Sequence, residues 1–118
     1  MLPREKRLNL KKDFKWVAAG GKVENNLVKL FFKAGSNQLP RVGIATSKAV
    51  FRKAVDRNRA RRLVSFGFEA LYNRLPQGIN IVALPKKEII QLNSEEVKDS
   101  LEGLLEKVGV LEDEKNSH

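Results

Sequence analysis

Apolar positions recur along this chain in two rhythms, and the rhythms divide it into elements. In "KDFKWVAAGGK", residues 12 to 22, Phe14, Val17 and Ala18 fall at i, i+3 and i+4, which predicts a short helix stopped by Gly20–Gly21. "LVKLFFK", residues 27 to 33, changes to a period of two. As a strand it places Val28, Leu30 and Phe32 toward a core and Lys29, Phe31 and Lys33 on the other face. "GSNQLP" has the composition of a turn. "RVGIATS", residues 41 to 47, is the next strand, with Val42 and Ile44 inward and Arg41, Gly43, Ala45 and Ser47 opposite. If these two strands pair, a cation–aromatic–cation row lies beside small residues, leaving room for something to rest on the sheet.

Helical spacing then returns. A helix is expected from somewhere between residues 52 and 56 to about residue 73, with Ala60, Leu63, Val64, Gly67 and Leu71 as its buried stripe. At 100° per residue Asn58, Arg61, Arg62 and Ser65 fall on the opposite side, with Arg57 at the border. Arg59 lies on the other flank, near Phe66. "PQG", residues 76 to 78, breaks the helix. "INIVAL" is apolar on both faces and so is expected as a central strand. The last helix carries Val97, Leu101, Leu104, Leu105 and Val108, capped by Asn93 or Ser94 and closed by Gly109. Residues 1 to 11 read as an extended basic arm and residues 112 to 118 as a polar tail, both flexible. The order α-β-β(-β)-α-β-α predicts one α+β domain over residues 1 to 118, a small two-layer α-β sandwich.

Charge changes the picture. Residues 1 to 87 hold 20 Lys/Arg against 5 Asp/Glu, a net of +15, whereas residues 88 to 118 hold 3 against 9, a net of −6. A strongly cationic body suggests a polyanionic partner, most often nucleic acid. The absence of Cys removes thiolate chemistry and suits a reducing compartment. With no membrane-length apolar run and no apolar segment behind the basic start, the expected location is cytoplasmic, with no membrane partner.

Catalytic chemistry is poorly supplied. The one His is terminal His118. No Cys/His cluster offers a zinc site. "GGK" at 20 to 22 fails as a phosphate loop, because Trp16 stands where a Gly is needed and Val23 where Ser or Thr is needed. Before residue 88 the acids are Glu5, Asp13, Glu24, Asp56 and Glu69, too scattered to converge on a metal for phosphodiester cleavage. No metal site, catalytic side chain or small-molecule substrate is assigned to the polypeptide.

Binding is better supplied. Between residues 41 and 62 there are eight basic residues and one acid. A merely solvated helix face would carry Glu–Lys or Glu–Arg pairs at i, i+4; here Arg57 and Arg61 repel at that spacing by a few tenths of a kcal/mol. Guanidinium suits phosphate because it is always charged and can bond two oxygens at once. The candidate surface is Arg57, Asn58, Arg61 and Arg62, extended by Lys48, Arg52 and Lys53. A second candidate is Lys29–Phe31–Lys33, with Phe14 from the first helix, suited to stacking single-stranded nucleic acid. For both rings an ordinary core role stands beside the binding role. Trp16 lies about 200° from Phe14 around the helix and is not assigned.

"KDFKWV", "VGIATSKAV" and "RNRARRL", in this order and at these separations, resemble the protein component of bacterial ribonuclease P, and the resemblance runs from the arm to the last helix. It implies a large catalytic RNA that removes the 5′ leader of precursor tRNA with Mg2+, and a protein with no bound cofactor that binds both RNAs. It places Arg57, Asn58, Arg59, Arg61 and Arg62, with Lys48, Arg52 and Lys53, against the catalytic RNA. Phe14 and Phe31, with Lys29 and Lys33, would line a leader cleft between the first helix and one sheet face. It also implies a left-handed βαβ crossover around the RNR helix, where general chirality rules give the right-handed form. One departure is Ala18, where many members carry a second aromatic. Two other readings of the residues stand beside this one: another small basic RNA-binding protein of the translation machinery, and a protein adaptor that docks through its acidic last helix.

Overall fold

A strand that is apolar on both faces has to be covered on both, and this requirement organises the fold. The computed structural model describes residues 2–111. In it β4 (Ile79–Pro85) lies between β2 (Val28–Ala34) and β3 (Arg41–Ile44), with β1 (Gly21–Glu24) outside β2. β2 runs antiparallel to β1 and β4; β3 runs parallel to β4. The segments around 27–33 and 41–47 therefore do not pair with each other, because the doubly apolar strand takes the place between them. β1 is the strand that periodicity missed.

Parallel β3 and β4 need a crossover, and α2 (Ala54–Leu71) provides it. Its buried stripe is the one expected, Ala60, Leu63, Val64, Gly67 and Leu71, with Phe68 added. It packs on α3 (Ser94–Lys107), whose Val97, Leu101, Leu104 and Leu105 are buried. The contact is close at Gly67, where a Cβ would come within 2.6 Å of Leu101 Cδ1 and 3.3 Å of Lys98 Cα. Asn93 caps α3 in a reciprocal capping box with Glu96. Gly109, at φ 78°, closes it, with its N–H donating to Glu106 O and that of Val110 to Leu105 O.

The sheet and the α2–α3 pair form the two layers around the main core, which holds Leu30, Ile81, Ala83 and Val42. The alternate strand residues form a smaller cluster on the other face. There α1 (Leu10–Ala18) lies across the sheet, with Val17 set against Val82.

Two expectations are corrected at the N-terminus. Residues 2 to 11 are not a free arm. Leu2 packs into the main core and Leu8 into the α1 cluster, so the segment wraps the β3 edge. Arg7 bridges to Val42 in parallel, and Leu8 N–H donates to Val42 O at 3.1 Å. An open sheet edge is thereby covered. The same wrapping buries Ser65, which the helical wheel turned to solvent: it lines a small cavity with Leu2, Leu8 and Val42. The tail, 112 to 118, lies outside the described residues.

Behind this segment Tyr72 is buried, its hydroxyl donating to Pro40 O at 2.7 Å. Lys6 Nζ sits 4.3 Å from its ring centroid. Burial, reinforced by Glu5, raises its pKa above the ordinary 10.0. Neutral Tyr72 thus contributes stability that is complete below pH 10.0 and is lost as pH climbs through the raised folded value. Tyr72→Phe is expected to remove this part of the alkaline destabilisation, read as a smaller fall in Tm than wild type above pH 10.0. Leu101→Ala is expected to lower unfolding free energy by about 2–5 kcal/mol in urea denaturation. Exposed Asp99→Ala should stay within about 0.5 kcal/mol.

Candidate nucleic-acid interface

The approach to α2 sets the interface. Ser47 Oγ accepts the N–H groups of Ala49 (3.0 Å) and Val50 (3.4 Å), and Ser47 O accepts that of Phe51 (2.9 Å). This turn drops Phe51 into the core at 2% exposure and leaves Lys48, Arg52 and Lys53 exposed around it. Lys53 offers no side-chain cap to α2, whose first turn carries the partial positive charge of a helix N-terminus.

Along α2 the arginines are held by neutral oxygens. Arg57 Nη1 donates to Phe51 O at 2.8 Å and Arg52 O at 3.3 Å. Arg61 donates to Thr46 Oγ1 at 2.9 Å and Asn58 Oδ1 at 3.2 Å. Arg59 reaches the other way, to Ile90 O (2.8 Å) and Leu92 O (2.9 Å), clamping α2 to the segment ahead of α3. Arg62 is exposed and makes no hydrogen bond or ion pair among the described residues. None of the four pairs with an acid there; the ion pairs lie elsewhere, as in Arg74 with Glu102 and Glu106.

The structure brings Lys48, Arg52, Lys53, Arg57, Asn58, Arg61 and Arg62 to one end and one side of α2. Asn58, Arg61 and Arg62 share a shallow cavity with exposed Val55. Arg61, which the wheel turned to solvent, is half-buried, as is Arg57 at the border, because their guanidinium groups fold back on the loop. Thr46 and the carbonyls of Phe51, Ile90 and Leu92 were not found from sequence; backbone acceptors leave no trace in residue type.

The second surface lies on the α1 face of the sheet. Strand register sets Phe31 beside Val82, which is itself beside Gly43, and sets Lys29 beside Leu84. Gly43 lies close under α1 and the segment before it: a Cβ there would stand 2.7 Å from Leu10 Cδ2 and 3.3 Å from Leu8 Cβ, so Leu10 would have to shift. Phe14 meets Phe31 edge to face, with centroids 6.3 Å apart. Both rings are half-buried, so each serves the small core and still presents an edge to solvent. Lys29 Nζ stands 5.0 Å from the Phe31 centroid. Lys33, two residues on, does not join them: its Nζ lies 4.8 Å from the centroid of Trp16. Ala18, on the Phe14 flank, adds no ring.

The carboxylates do not converge. Among the described residues no group of three or more His, Cys, Asp or Glu could hold a metal ion. Glu24 is held below its ordinary 4.5 by a hydrogen bond from Lys86 at 2.7 Å and by that charge, an exposed tie between β1 and the end of β4. Nor is any described helix long and apolar enough to cross a membrane.

Comparison with known proteins agrees with this architecture. The family model for ribonuclease P matches residues 2–109. The ribonuclease P protein component of Caldanaerobacter subterraneus subsp. tengcongensis is 34% identical over 113 residues, covering 93% of this chain and 97% of that protein. That of Pseudanabaena is 34% identical over 113 residues, covering 94% and 97%. Among solved structures, the Thermotoga maritima RNase P protein superposes with a TM-score of 0.76 at 26% identity, covering 86% of this chain and 98% of that one. The Staphylococcus aureus RNase P protein gives 0.78 at 21% identity over 90% and 97%, a likeness of fold. The chain therefore belongs to the ribonuclease P protein family, the protein subunit of the ribonucleoprotein endonuclease that matures the 5′ ends of tRNA.

Proposed function

We propose that the partner of the α2 surface is the catalytic ribonuclease P RNA, and that the Phe14–Phe31 cleft receives the 5′ leader of precursor tRNA. The observation that carries this reading is the set Arg57, Arg59, Arg61 and Arg62 on one helix, the first three held by neutral oxygens and none of the four paired with an acid of the described residues. Guanidinium groups so held meet phosphates without losing an internal ion pair, so binding costs little rearrangement. Arg61 and Arg62 take backbone phosphates directly. Arg57 and Arg59, with donors already committed to carbonyls, add charge and fix the helix. Lys48, Arg52, Lys53 and Asn58 widen the contact.

In the cleft, Phe31 offers a stacking edge and Lys29 a phosphate contact, as suits a single strand. Lys33 belongs to the leader surface only at its far end. Mg2+ in this reading is bound by the RNA, and the chain's own part is to hold substrate and RNA together at lower ion concentration. The cytoplasm, where both RNAs are made and processed, is the corresponding location.

Arg61→Ala with Arg62→Ala is expected to weaken binding of the catalytic RNA and to flatten the plot of log affinity against log salt by about 2 units. A slope unchanged by both substitutions excludes them from the interface. Phe31→Ala is expected to cost about 1–3 kcal/mol with precursor carrying a leader of several nucleotides, and little with leaderless tRNA. Equal losses on both would show a folding defect. Reconstituted cleavage at low Mg2+ should require the RNA; processing by the polypeptide alone would overturn the assignment.

A further inference from the structure

The Phe14–Phe31 cleft occupies one end of the α1 face, and a separate cationic and aromatic constellation occupies the other. In the strand register Lys33, Asn80 and Arg41 form one row across β2, β4 and β3. Phe31 lies one row nearer the Leu84 end of the sheet, and Lys29 the row beyond. Trp16, two residues from Phe14 and so on the opposite flank of α1, stands at the Lys33 row. The ring is 41% exposed, yet it is positioned. Lys33 Nζ lies 4.8 Å from its centroid. Its Cη2 edge leans on Gly35, where a Cβ would approach to 2.9 Å. Below it Asn80, 3% exposed, spends its amide on Lys33 O, Gly78 O and Asn37 Oδ1, which locks the end of β2 to the start of β4. Exposed Arg41 ends the row and shares a shallow cavity with Arg4 and Arg7, where Glu5 is the one acid. The backbone positions of Lys33 and Arg41, two strand spacings apart, are separated by about 10 Å.

We propose that Trp16, Lys33 and Arg41 form a second contact for single-stranded RNA, in which a base stacks on the indole while the two cations take flanking phosphates. Charge complementarity commits the surface to RNA: the adjoining cavity has Arg4, Arg7 and Arg41 against the single acid Glu5, and the family of the chain implies an RNA partner. Exposure alone does not mark Trp16, since Phe66 is exposed to the same degree; what marks it is the cation placed over the indole, with free surface left beside it, which matches the requirements of sequence-tolerant stacking. The proposal rests on RNA as partner but not on the leader assignment of the Phe14–Phe31 cleft.

Trp16 is the single Trp of the chain, so its emission reports this site alone. The probe is an unstructured oligouridylate, followed by indole fluorescence and, through a 5′ dye, by anisotropy. Expected are saturable quenching at the anisotropy midpoint, a midpoint weakened about five- to a hundredfold by Trp16→Ala, and partial recovery in Trp16→Phe. Lys33→Ala should shift the quenching midpoint, and Phe31→Ala should leave quenching in place even where it impairs leader-dependent cleavage. Oligouridylate bound without quenching overturns the proposal. So does equal quenching by inorganic polyphosphate, or quenching lost in Phe31→Ala with circular dichroism unchanged. If quenching stands while Phe31→Ala leaves cleavage of leader-bearing precursor unaffected, the leader assignment fails and this site does not.

Discussion

Like charges stay together on this protein because neutral oxygens hold them. Arg57, Arg59 and Arg61 donate to backbone carbonyls, a threonine hydroxyl and an amide, none of which cancels the cation. An acid in those positions would have oriented the guanidinium groups equally well and would have consumed the charge that RNA phosphates need. The cost is mutual repulsion of a few tenths of a kcal/mol per neighbouring pair. Against it stands burial of Leu63, Val64, Phe68 and Leu71 on the far side of the same helix, at roughly 1.5–3 kcal/mol per large side chain. The core term exceeds the repulsion by an order of magnitude, so the patch is carried by the scaffold and is not self-assembled.

The sheet extends this division of labour. One face is closed by α2 and α3 and supplies most of the core; the other is only partly covered by nine-residue α1. A short helix laid across four strands leaves sheet exposed at both ends. Those ends carry Lys29 with Phe31 and Lys33 with Trp16, cations placed beside rings. The incomplete cover leaves surface that the proposed function uses, because β2 adds Lys29, Phe31 and Lys33 around the Val82 cluster on this face.

Long periodic segments were legible in the sequence. The α2 stripe, the α3 stripe with its Asn93 and Gly109 ends, and the central place of β4 follow from hydrophobic rhythm and cap chemistry alone. Short or sparsely apolar pieces were not. β1 is "GKVE", four residues with one apolar side chain, below what alternation can signal. The first residues looked like an arm because Leu2 and Leu8 are six residues apart, with Pro3, Arg4, Glu5, Lys6 and Arg7 between them; they serve two different cores on the two sides of an edge strand. Ser65 shows the same limit from the other side. A helical wheel gives directions relative to one helix, and what lies in a direction depends on distant chain. The α2 patch was legible because it needs only residue type and helix phase; the acceptors that orient it are backbone atoms, which residue type does not encode.

The separation of charge along the chain has a counterpart in space. Arg74, at the end of the turn that follows α2, is paired with Glu102 and Glu106 of α3. The arginine pairs with acids where α2 runs out against the acidic helix, and arginines have none among the described residues where α2 begins. An approaching polyanion therefore meets a molecule with a direction: attractive at the α2 start and around α1, weakly repulsive along α3. Such asymmetry orients encounter before contact, over about one Debye length of 8–10 Å at moderate salt. A uniformly basic protein of the same net charge would bind RNA in many poses. Concentrating acids on α3, with Glu95, Glu96, Asp99, Glu102 and Glu106, restricts which face arrives first.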